Sequence, residues 1–375
     1  MQKKELTWRI RVYGIVQGVG FRPTVSRHAT SNGICGTVCN KGPYVEIYAQ
    51  GQKEQMEGFL KALEVQPPKR AAILKINTED VTAETDMHFE TFDIIESEKT
   101  KGEIFVSPDI AICDECKEEM YNPKDRRYLH PFINCTCCGP RLTILDALPY
   151  DRERTSMKEF PMCPDCAKEY YDPETRRYDA QPVCCNDCGP EVYLIGRSER
   201  GRDAITYTRQ VIHDGGIVAI KGIGGFHLCC DATNEEAVSR LRTLKRRPAK
   251  PFAIMAKDET VVKRECIVTP EQEAILTGHQ KPILLLDRRS KEDTKESQPQ
   301  SETISETRLA PSVAPGNPKV GVMLPYAPVQ LLIFQYDDGI EMPDLLVMTS
   351  GNTSGAPICR DDEEAVAELS HLCDA

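Results

Sequence analysis

Two stretches of the sequence, CDECKEEMYNPKDRRY at residues 113–128 and CPDCAKEYYDPETRRY at residues 163–178, match each other at an offset of 50 residues. The tripeptide Cys-Gly-Pro at residues 138–140 recurs at residues 188–190 with the same offset. The chain therefore contains a duplicated unit. Each copy spaces four cysteines as C-x2-C-x18-C-x2-C, and the two sets are Cys113, Cys116, Cys135 and Cys138, and Cys163, Cys166, Cys185 and Cys188.

This cysteine spacing is typical of a structural zinc site. Four thiolates complete a tetrahedral shell around Zn²⁺ and leave no position open for a reactive water molecule. We therefore predict two structural Zn²⁺ ions, one in each copy. Cys137 and Cys184 align with Asp187 and Asn134 of the other copy, so the duplication predicts that neither is a ligand.

Two alternatives to a structural zinc module remain open. The cysteines could be reduced side chains packed in a core, or the module could be a finger that binds nucleic acid. The second alternative rests on an Arg-Arg pair in each copy, at residues 126–127 and 176–177. Residues 98–195 carry 13 basic and 19 acidic side chains, and this acidic balance disfavours nucleic-acid binding.

The composition of the whole chain excludes several classes of protein. Its 375 residues are enough for two or three domains with substantial cores. With 47 lysines and arginines against 58 acidic residues, a surface that binds nucleic acid over its whole extent is excluded. The 17 cysteines are an odd number and no secretory signal precedes them, which argues against a disulfide framework. No apolar run approaches the ~20 residues of a membrane helix, so we expect a cytoplasmic protein without membrane contact.

Outward from the cysteines, the N-terminal side carries a candidate anion loop. The alternation in TWRIRVY, residues 7–13, predicts a half-buried strand that leads directly into GIVQGVGFR, residues 14–22. A helix starting near Arg22 would direct free N–H groups towards a phosphate. The predicted phosphate-binding residues are Gly18, Val19, Gly20, Phe21 and Arg22. A tight structural turn is the alternative interpretation of these glycines.

The next stretch, GTVCNKGPYVEIYA at residues 36–49, predicts two strands around a turn, with Asn40 at the end of the first. Val12 to Arg22 and Gly36 to Asn40 match the VxGxVQGVxFR and GxVxN patterns of the acylphosphatase family, which residues 5–97 therefore resemble. The resemblance implies a ferredoxin-like βαββαβ domain. It further implies two catalytic residues: Arg22, which with the loop amides would hold an acyl phosphate, and Asn40, which would orient the attacking water.

The sequence that follows the cysteine repeat, residues 196–375, is typical of an α/β domain. Helical and apolar strand patterns alternate from about Ile205, and residues 240–250 contain six basic residues and no acid. Such a cluster could bind phosphates or could be an ordinary solvated helix face. A polar loop, SGNTSG at residues 350–355, follows another apolar segment. Residues from about 288 to 308 are almost without apolar side chains, and we expect a disordered insertion there.

This C-terminal part resembles the YrdC-like family. The positions that match its Lys-x-Arg-Pro and Ser-x-Asn motifs, together with one strand lysine, are Lys221, Lys245, Arg247, Ser350 and Asn352. The resemblance implies an ATP site at which a carbamate or carboxylate becomes an adenylate, with Mg²⁺ expected beside the ATP. Relatives of this fold also bind double-stranded RNA or transfer RNA.

The order of the three modules resembles the HypF family, carbamoyltransferases that mature [NiFe] hydrogenases. We predict an α+β multidomain chain: an acylphosphatase-like domain at 1–97, a double zinc-finger module at 98–195 and a YrdC-like domain at 196–375. The resemblance implies hydrolysis of carbamoyl phosphate, activation of carbamate as carbamoyl adenylate, and transfer to the C-terminal cysteine of a partner, HypE. The transfer domain is absent from this sequence, so we expect a truncated chain whose YrdC-like domain is itself incomplete.

Two other functions remain as alternatives. One is a transfer-RNA threonylcarbamoylation enzyme, which would use the YrdC-like part and leave the first 200 or so residues without a role. The other is a zinc-finger protein that binds nucleic acid.

Overall fold

The computed structural model describes residues 5–68, 70–97, 107–289, 308–353 and 355–375. The chain groups into two compact units, the first comprising residues 1–116 and 133–190 and the second residues 117–132 and 191–375. The predicted domain boundaries at residues 97 and 195 stay predictions. The predicted disordered insertion lies outside the described residues, apart from residues 288, 289 and 308.

The first unit begins with a five-stranded sheet and two helices. In chain order these elements are β1 (Leu6–Ile15), α1 (Phe21–Ser31), β2 (Cys35–Lys41), β3 (Tyr44–Gly51), α2 (Lys53–Val65), β4 (Ala72–Asp80) and β5 (Phe92–Ile94). The sheet order is β4-β1-β3-β2-β5, and only the β2–β5 pair is parallel. The predicted ferredoxin-like fold is thus confirmed, and β5 adds a fifth strand to it.

The alternation predicted for β1 is visible in its burial. Ile10 and Val12 are fully buried, whereas Arg9 and Arg11 lie on the other face of the strand and pair with Glu79 and Glu46. Successive side chains of a strand point to opposite faces, so one face packs on a core and the other accepts charged residues. Apolar side chains of α1 and α2 complete this core.

Gly14 allows β1 to reach β4. It has a φ of 130°, at a shift in the register between the two strands, and a Cβ atom there would lie 2.0 Å from the carbonyl oxygen of Ala72. Only glycine accepts this backbone conformation without strain. The first glycine of the predicted anion loop therefore serves the pairing of the sheet.

Each copy of the cysteine repeat forms one short helix, α3 (Asp114–Tyr121) and α4 (Pro164–Tyr171). Both helices begin directly after the first cysteine of their copy, and in the second copy the Cys163 sulfur accepts a hydrogen bond from the Cys166 amide. Further along, Leu129 and Asp179 occupy equivalent positions, and both have a left-handed backbone with φ of 54° and 55°. The duplication in sequence is therefore a duplication in structure.

The second unit contains a seven-stranded mixed sheet. Its elements in chain order are α5 (Gly201–His213), β6 (Val218–Gly222), β7 (Gly225–Asp231), α6 (Glu235–Leu244), β8 (Ala253–Ala256), α7 (Glu259–Glu265), β9 (Cys266–Ile267), α8 (Pro270–Thr277), β10 (Leu284–Arg288), β11 (Lys319–Met323), α9 (Pro328–Phe334), β12 (Leu345–Ser350) and α10 (Asp362–Leu369). The strand order is β6-β7-β12-β8-β11-β10-β9. This confirms the predicted α/β character of the C-terminal part.

Both faces of this sheet are covered. Leu228 and Cys230 belong to the larger apolar cluster, whereas Cys229 between them belongs to the cluster on the opposite side. These cysteines are fully buried, as expected for small apolar side chains, and burial raises the pKa of Cys230 to about 12. In the described part of the chain, the helices are all too short or too polar to span a membrane.

Candidate functional site

The predicted anion loop makes a sharp turn between β1 and α1. Gly18 and Gly20 have φ values of 70° and 76°, in the left-handed region that glycine accepts readily, and Gly20 is the N-cap of α1. Val19 and Phe21 are buried in the sheet's core. The packing of these two side chains holds the loop in place, and Arg22 follows in the first turn of the helix.

Arg22 is only 8% exposed and lies between two carboxylates. Its Nη1 is 2.9 Å from Oδ1 of Asp151, and its Nε is 3.0 Å from Oδ2 of Asp179. Burial alone would lower the pKa of Arg22, but the charges of Asp179 and Asp151 outweigh burial and raise that pKa above its usual value. The guanidinium is thus a permanent, oriented positive charge inside the first unit.

Asn40, at the end of β2, is 1% exposed. Within the part of the chain that the structure describes, neither its amide nitrogen nor its amide oxygen has a hydrogen-bond partner. An unpaired polar atom costs free energy when it is buried, so such groups in folded proteins call for a functional explanation. Asn40 and Arg22 line the same small cavity, together with Gly18 and Gly20.

The remaining wall of this cavity comes from the cysteine-repeat segment. Arg141 is 1% exposed, and its Nε donates a hydrogen bond to the carbonyl oxygen of Gly18. The other guanidinium nitrogens of Arg141 donate to carbonyl oxygens between Cys135 and Pro140. Thr136 packs so closely on Gly20 that a Cβ atom there would lie 2.8 Å from its methyl carbon. The segment therefore covers part of the loop, in which Gly18 and Gly20 stay partly exposed.

Sequence reasoning missed three residues of this site, Arg141, Asp151 and Asp179. A signal for two of them existed in the differences between the copies. Arg141 follows Cys-Gly-Pro in the first copy, where the second copy has Glu191, and Asp179 stands where the first copy has Leu129. Asp151 lies between the copies, and the repeat offers no signal for it.

The structure brings the predicted cysteines together as two separate groups of four. The sulfur atoms within each group all lie within 4.8 Å of one another, and the close pairs are 3.6 to 3.8 Å apart. Tetrahedral Zn²⁺ with Zn–S bonds of about 2.3 Å requires S···S distances of about 3.8 Å, so both groups fit that ion. Hydrogen bonds with Cys113 and the neighbouring thiols lower the pKa of the Cys135 thiol and raise those of Cys116 and Cys138. Cys137 and Cys184 belong to neither group.

The arginine pair of the second copy contacts the first cysteine group. The guanidinium nitrogens of Arg176 lie 3.7 to 3.8 Å from the sulfur atoms of Cys113 and Cys116. Arg177 is 4% exposed, and its Nε donates to the carbonyl oxygen of Asn134. This arginine pair therefore contacts the sulfur atoms of the first cysteine group and the backbone beside them, which accounts for the pair of the second copy without a nucleic acid.

Four of the five predicted nucleotide residues meet in the second unit. Lys245 Nζ lies 2.7 Å from the carbonyl oxygen of Ser350 and 3.2 Å from Oδ1 of Asn352. Ser350 Oγ donates to the same Oδ1 at 2.7 Å. Arg247 Nη1 lies 3.5 Å from Oγ1 of Thr349, the residue before Ser350 in β12. Burial, reinforced by the charge of Arg247, lowers the pKa of Lys245 to about 8.

Lys221 is directed elsewhere. Its Nζ lies 2.8 Å from Oδ1 of Asp362, at the start of α10, and 5.3 Å from the centre of the Phe226 ring. The basic cluster at residues 240–250 is also engaged internally, since Arg240 pairs with Asp374 and Arg242 donates to the carbonyl oxygen of Ser312. This cluster is consequently much less of an open positive surface than its composition suggests.

Three protein families match segments of the chain. The acylphosphatase family matches residues 8–94 and the HypF finger family matches residues 112–145 and 162–195. The Sua5/yciO/yrdC family, described as "Telomere recombination", matches residues 210–375. The fold and the sites thus define a multidomain protein that joins an acylphosphatase domain and a pair of cysteine fingers to a YrdC-like domain.

Relatives extend this result to the whole chain. "Carbamoyltransferase HypF2" of Cupriavidus necator is 44% identical over 98% of the chain, and "Carbamoyltransferase HypF" of Rhodobacter capsulatus is 43% identical over 98%. A "Crystal structure of full-length HypF in the phosphate- and nucleotide-bound form" matches 99% of the chain at 42% identity with a TM-score of 0.88. The T. kodakarensis HypF structure matches 98% at 42% identity with a TM-score of 0.84.

By sequence and by fold, the chain belongs to the HypF family. It covers 45% and 46% of the two curated relatives and 46% and 45% of the two solved structures. The chain thus spans about half the length of the proteins it matches.

Proposed function

We propose that the first unit hydrolyses carbamoyl phosphate to carbamate and phosphate at the cavity that Arg22 and Asn40 line. The observation that carries the proposal is the pairing of a buried, permanently charged guanidinium with a buried amide that has no hydrogen-bond partner in the described chain. Both groups have polar atoms available for a ligand in a site where solvent is largely excluded.

The chemistry requires little more than position and charge. Arg22 and the loop residues Gly18, Val19, Gly20 and Phe21 would bind the phosphate, and Asn40 would hold the attacking water through its amide oxygen. Oriented hydrogen bonds and a fixed positive charge stabilise the charge that develops in such a reaction without a covalent nucleophile. The enclosing segment around Arg141 would keep bulk water away.

The two cysteine groups are proposed to bind two Zn²⁺ ions through Cys113, Cys116, Cys135 and Cys138, and Cys163, Cys166, Cys185 and Cys188. With four protein ligands each, the ions would supply structure and no reactive position. Metal binding to a small module of this kind contributes directly to its folding free energy.

For the second unit we propose ATP-dependent activation of carbamate as carbamoyl adenylate with release of pyrophosphate. Lys245 and Arg247 would contact the phosphates, Ser350 and Asn352 the polar groups of nucleotide or substrate, and Mg²⁺ would accompany the ATP. Lys221 would join the site only after leaving Asp362. In the longer proteins of the family the carbamoyl group would pass to the C-terminal cysteine of HypE.

The decisive experiment measures phosphate release from carbamoyl phosphate by the chain, by Arg22→Ala and by Arg27→Ala. Arg27 is an exposed arginine on the same helix, so its loss removes an equal charge without touching the cavity. We expect Arg22→Ala to lower kcat/KM by about 10²-fold or more and Arg27→Ala to leave it unchanged.

Equal rates in all three proteins, or no phosphate release by any, would refute the proposal. Activity with threonine, bicarbonate and ATP in place of carbamoyl phosphate would favour the transfer-RNA threonylcarbamoylation alternative. A steeply salt-dependent affinity for RNA would favour the nucleic-acid alternative.

A further inference from the structure

We propose that the second cysteine copy forms part of the acyl-phosphate site, because its Asp179 positions the guanidinium of Arg22. The inference rests on the proposed function of Arg22 in binding the phosphate. Asp179 is a positioning residue in this scheme, since it acts on the substrate only through Arg22.

The carboxylate of Asp179 is itself rigidly held. Its Oδ1 accepts a hydrogen bond from Gln181 Nε2 at 2.8 Å and a longer one from the Tyr170 hydroxyl at 3.4 Å. Its backbone nitrogen donates to the carbonyl oxygen of Tyr170 at 2.9 Å. The side chains of Asp179 and Arg22 are 10% and 9% exposed. A carboxylate fixed in this way can set the plane of the guanidinium that it contacts.

The contacts of Arg22 within the described residues leave one edge of it for a ligand. Asp179 lies beside Nε, and Nη1 donates to Asp151 and, at 3.3 Å, to Ser97 Oγ. Among those residues the partner of Nη2 is the carbonyl oxygen of Tyr150, at the longer distance of 3.5 Å. A guanidinium can donate five hydrogen bonds in a fixed fork. The Nη2 edge is therefore the part of Arg22 that is best placed to donate to a phosphate oxygen.

Comparison of the two copies shows that the fold of the repeat does not require this aspartate. Leu129 takes the equivalent position in the first copy with the same left-handed backbone, and its side chain is buried. An apolar residue is thus compatible with this turn. The carboxylate in the second copy is accounted for by its contact with Arg22.

Asp179 also links the arginine to the second cysteine group. Its neighbour Ala180 packs in one small core with Val183 and the cysteines Cys166 and Cys185. The Val183 amide donates to the Ala180 carbonyl at 2.9 Å, which fixes the short segment between Asp179 and the metal ligands. The position of Asp179, and with it that of Arg22, therefore depends on the integrity of this group.

The test uses the full chain with its metal and compares Asp179→Leu, Asp179→Asn and the control Glu174→Gln. The leucine variant places in the second copy the residue that the first copy already accepts. The asparagine variant keeps an oxygen as a possible acceptor beside Arg22 Nε, which lies 3.0 Å from Asp179 Oδ2 in the parent chain. Glu174 is an exposed acid of the same copy and controls for the loss of a charge. Metal content and thermal unfolding verify that each variant is folded.

We expect Asp179→Leu to lower kcat for carbamoyl phosphate by about 10²-fold, because a misplaced guanidinium no longer meets the reacting group. The dissociation constant for inorganic phosphate should rise, and Asp179→Asn should recover part of both losses while staying about tenfold below the parent chain in kcat. Glu174→Gln should match the parent chain. If Asp179→Leu loses its metal, the inference is tested by comparing Asp179→Asn with Glu174→Gln. We then expect kcat of Asp179→Asn to be about tenfold lower than that of Glu174→Gln.

Two results would overturn the inference. One is a folded, metal-loaded Asp179→Leu variant, or an Asp179→Asn variant, with the parent's kcat. The other is tighter phosphate binding in these variants, which would make Asp179 a competitor of the anion. Failure of the proposed function is distinguishable, because the parent chain would then release no phosphate while phosphate binding still weakened in Asp179→Leu.

Discussion

Replacement of Asn40 by leucine is expected to stabilise the protein while it abolishes most of the hydrolysis. Asn40 is 1% exposed, and in the described residues its two amide heteroatoms have no hydrogen-bond partner. Leucine has a similar shape and no polar atom, so Asn40→Leu removes a desolvation cost and loses no protein hydrogen bond. A residue retained at a cost in stability is typical of a functional site.

The magnitude follows from the number of unpaired atoms. Each buried polar group without a partner costs about 1 to 3 kcal/mol, and imperfect packing of the leucine offsets part of the gain. We therefore expect the free energy of unfolding to rise by about 1 to 2 kcal/mol. The value of kcat for carbamoyl phosphate should fall by about 10²-fold, because no side chain would then orient the water.

Urea unfolding followed by tryptophan fluorescence measures the stability of the relevant unit. The sequence has one tryptophan, Trp8, and it lies in β1, directly beside the core of the ferredoxin-like domain. Asn134→Leu is the matched control, because Asn134 is also buried but its Nδ2 donates to the Pro182 carbonyl oxygen at 2.8 Å. Loss of this bond should destabilise the same unit by about 1 to 3 kcal/mol.

The two variants are thus predicted to shift stability in opposite directions. A loss of stability in Asn40→Leu as large as that in Asn134→Leu would refute the reasoning, since Asn40 would then make favourable interactions in the free protein. Hydrolysis at the parent rate in Asn40→Leu would separately refute a role for Asn40 in orienting water.

Two further predictions concern the metal groups and the nucleotide corner. Cys138→Ser should reduce the zinc content of the purified chain from two equivalents to one, whereas Cys137→Ser should retain both, because of these two cysteines only Cys138 belongs to a group of four. Elemental analysis measures the zinc content. Equal zinc content in the two variants would contradict the ligand assignment. Burial lowers the pKa of Lys245 to about 8, so this side chain loses its positive charge as the pH rises through that value. The affinity of the chain for ATP should therefore fall over the same rise. Unfolding should become less favourable over the same rise, because the unfolded chain binds more protons between pH 8 and the usual pKa of lysine. Lys245→Arg, which stays charged, should remove the pH dependence of ATP affinity in calorimetric titrations, and a flat profile in the parent chain would contradict the assignment.

Local patterns predicted much of the fold correctly. The alternation in β1, the glycines before α1 and the hairpin around Gly42 all depend on neighbouring residues. The same residues carry the resemblance to acylphosphatases, which implied the ferredoxin-like domain that the structure confirms. The repeat spacing likewise predicted which eight cysteines would gather in two groups, because ligand spacing is a local property of each copy.

Element boundaries in apolar stretches and contacts between residues far apart in the chain could not be predicted from the sequence. The apolar stretch KVGVMLPYAPVQLLIF, residues 319–334, forms two elements, strand β11 and helix α9, which residues 324–327 connect. The basic residues at 240–250 suggested a charged surface, yet Arg242 donates a hydrogen bond to the carbonyl oxygen of Ser312, 70 residues further along the chain. A pattern of residue types does not say whether a charged side chain faces solvent or a distant carbonyl group.

The sequence by itself determined the three modules, their order, the two cysteine sets and the loop that carries Arg22, because each is encoded by residues close together in the chain. Only the tertiary structure decided what surrounds that arginine. Asp151 and Asp179 lie 129 and 157 residues beyond it, and no periodicity connects them to the loop. Ion pairs between buried groups form when packing brings the groups together, and packing depends on the whole fold.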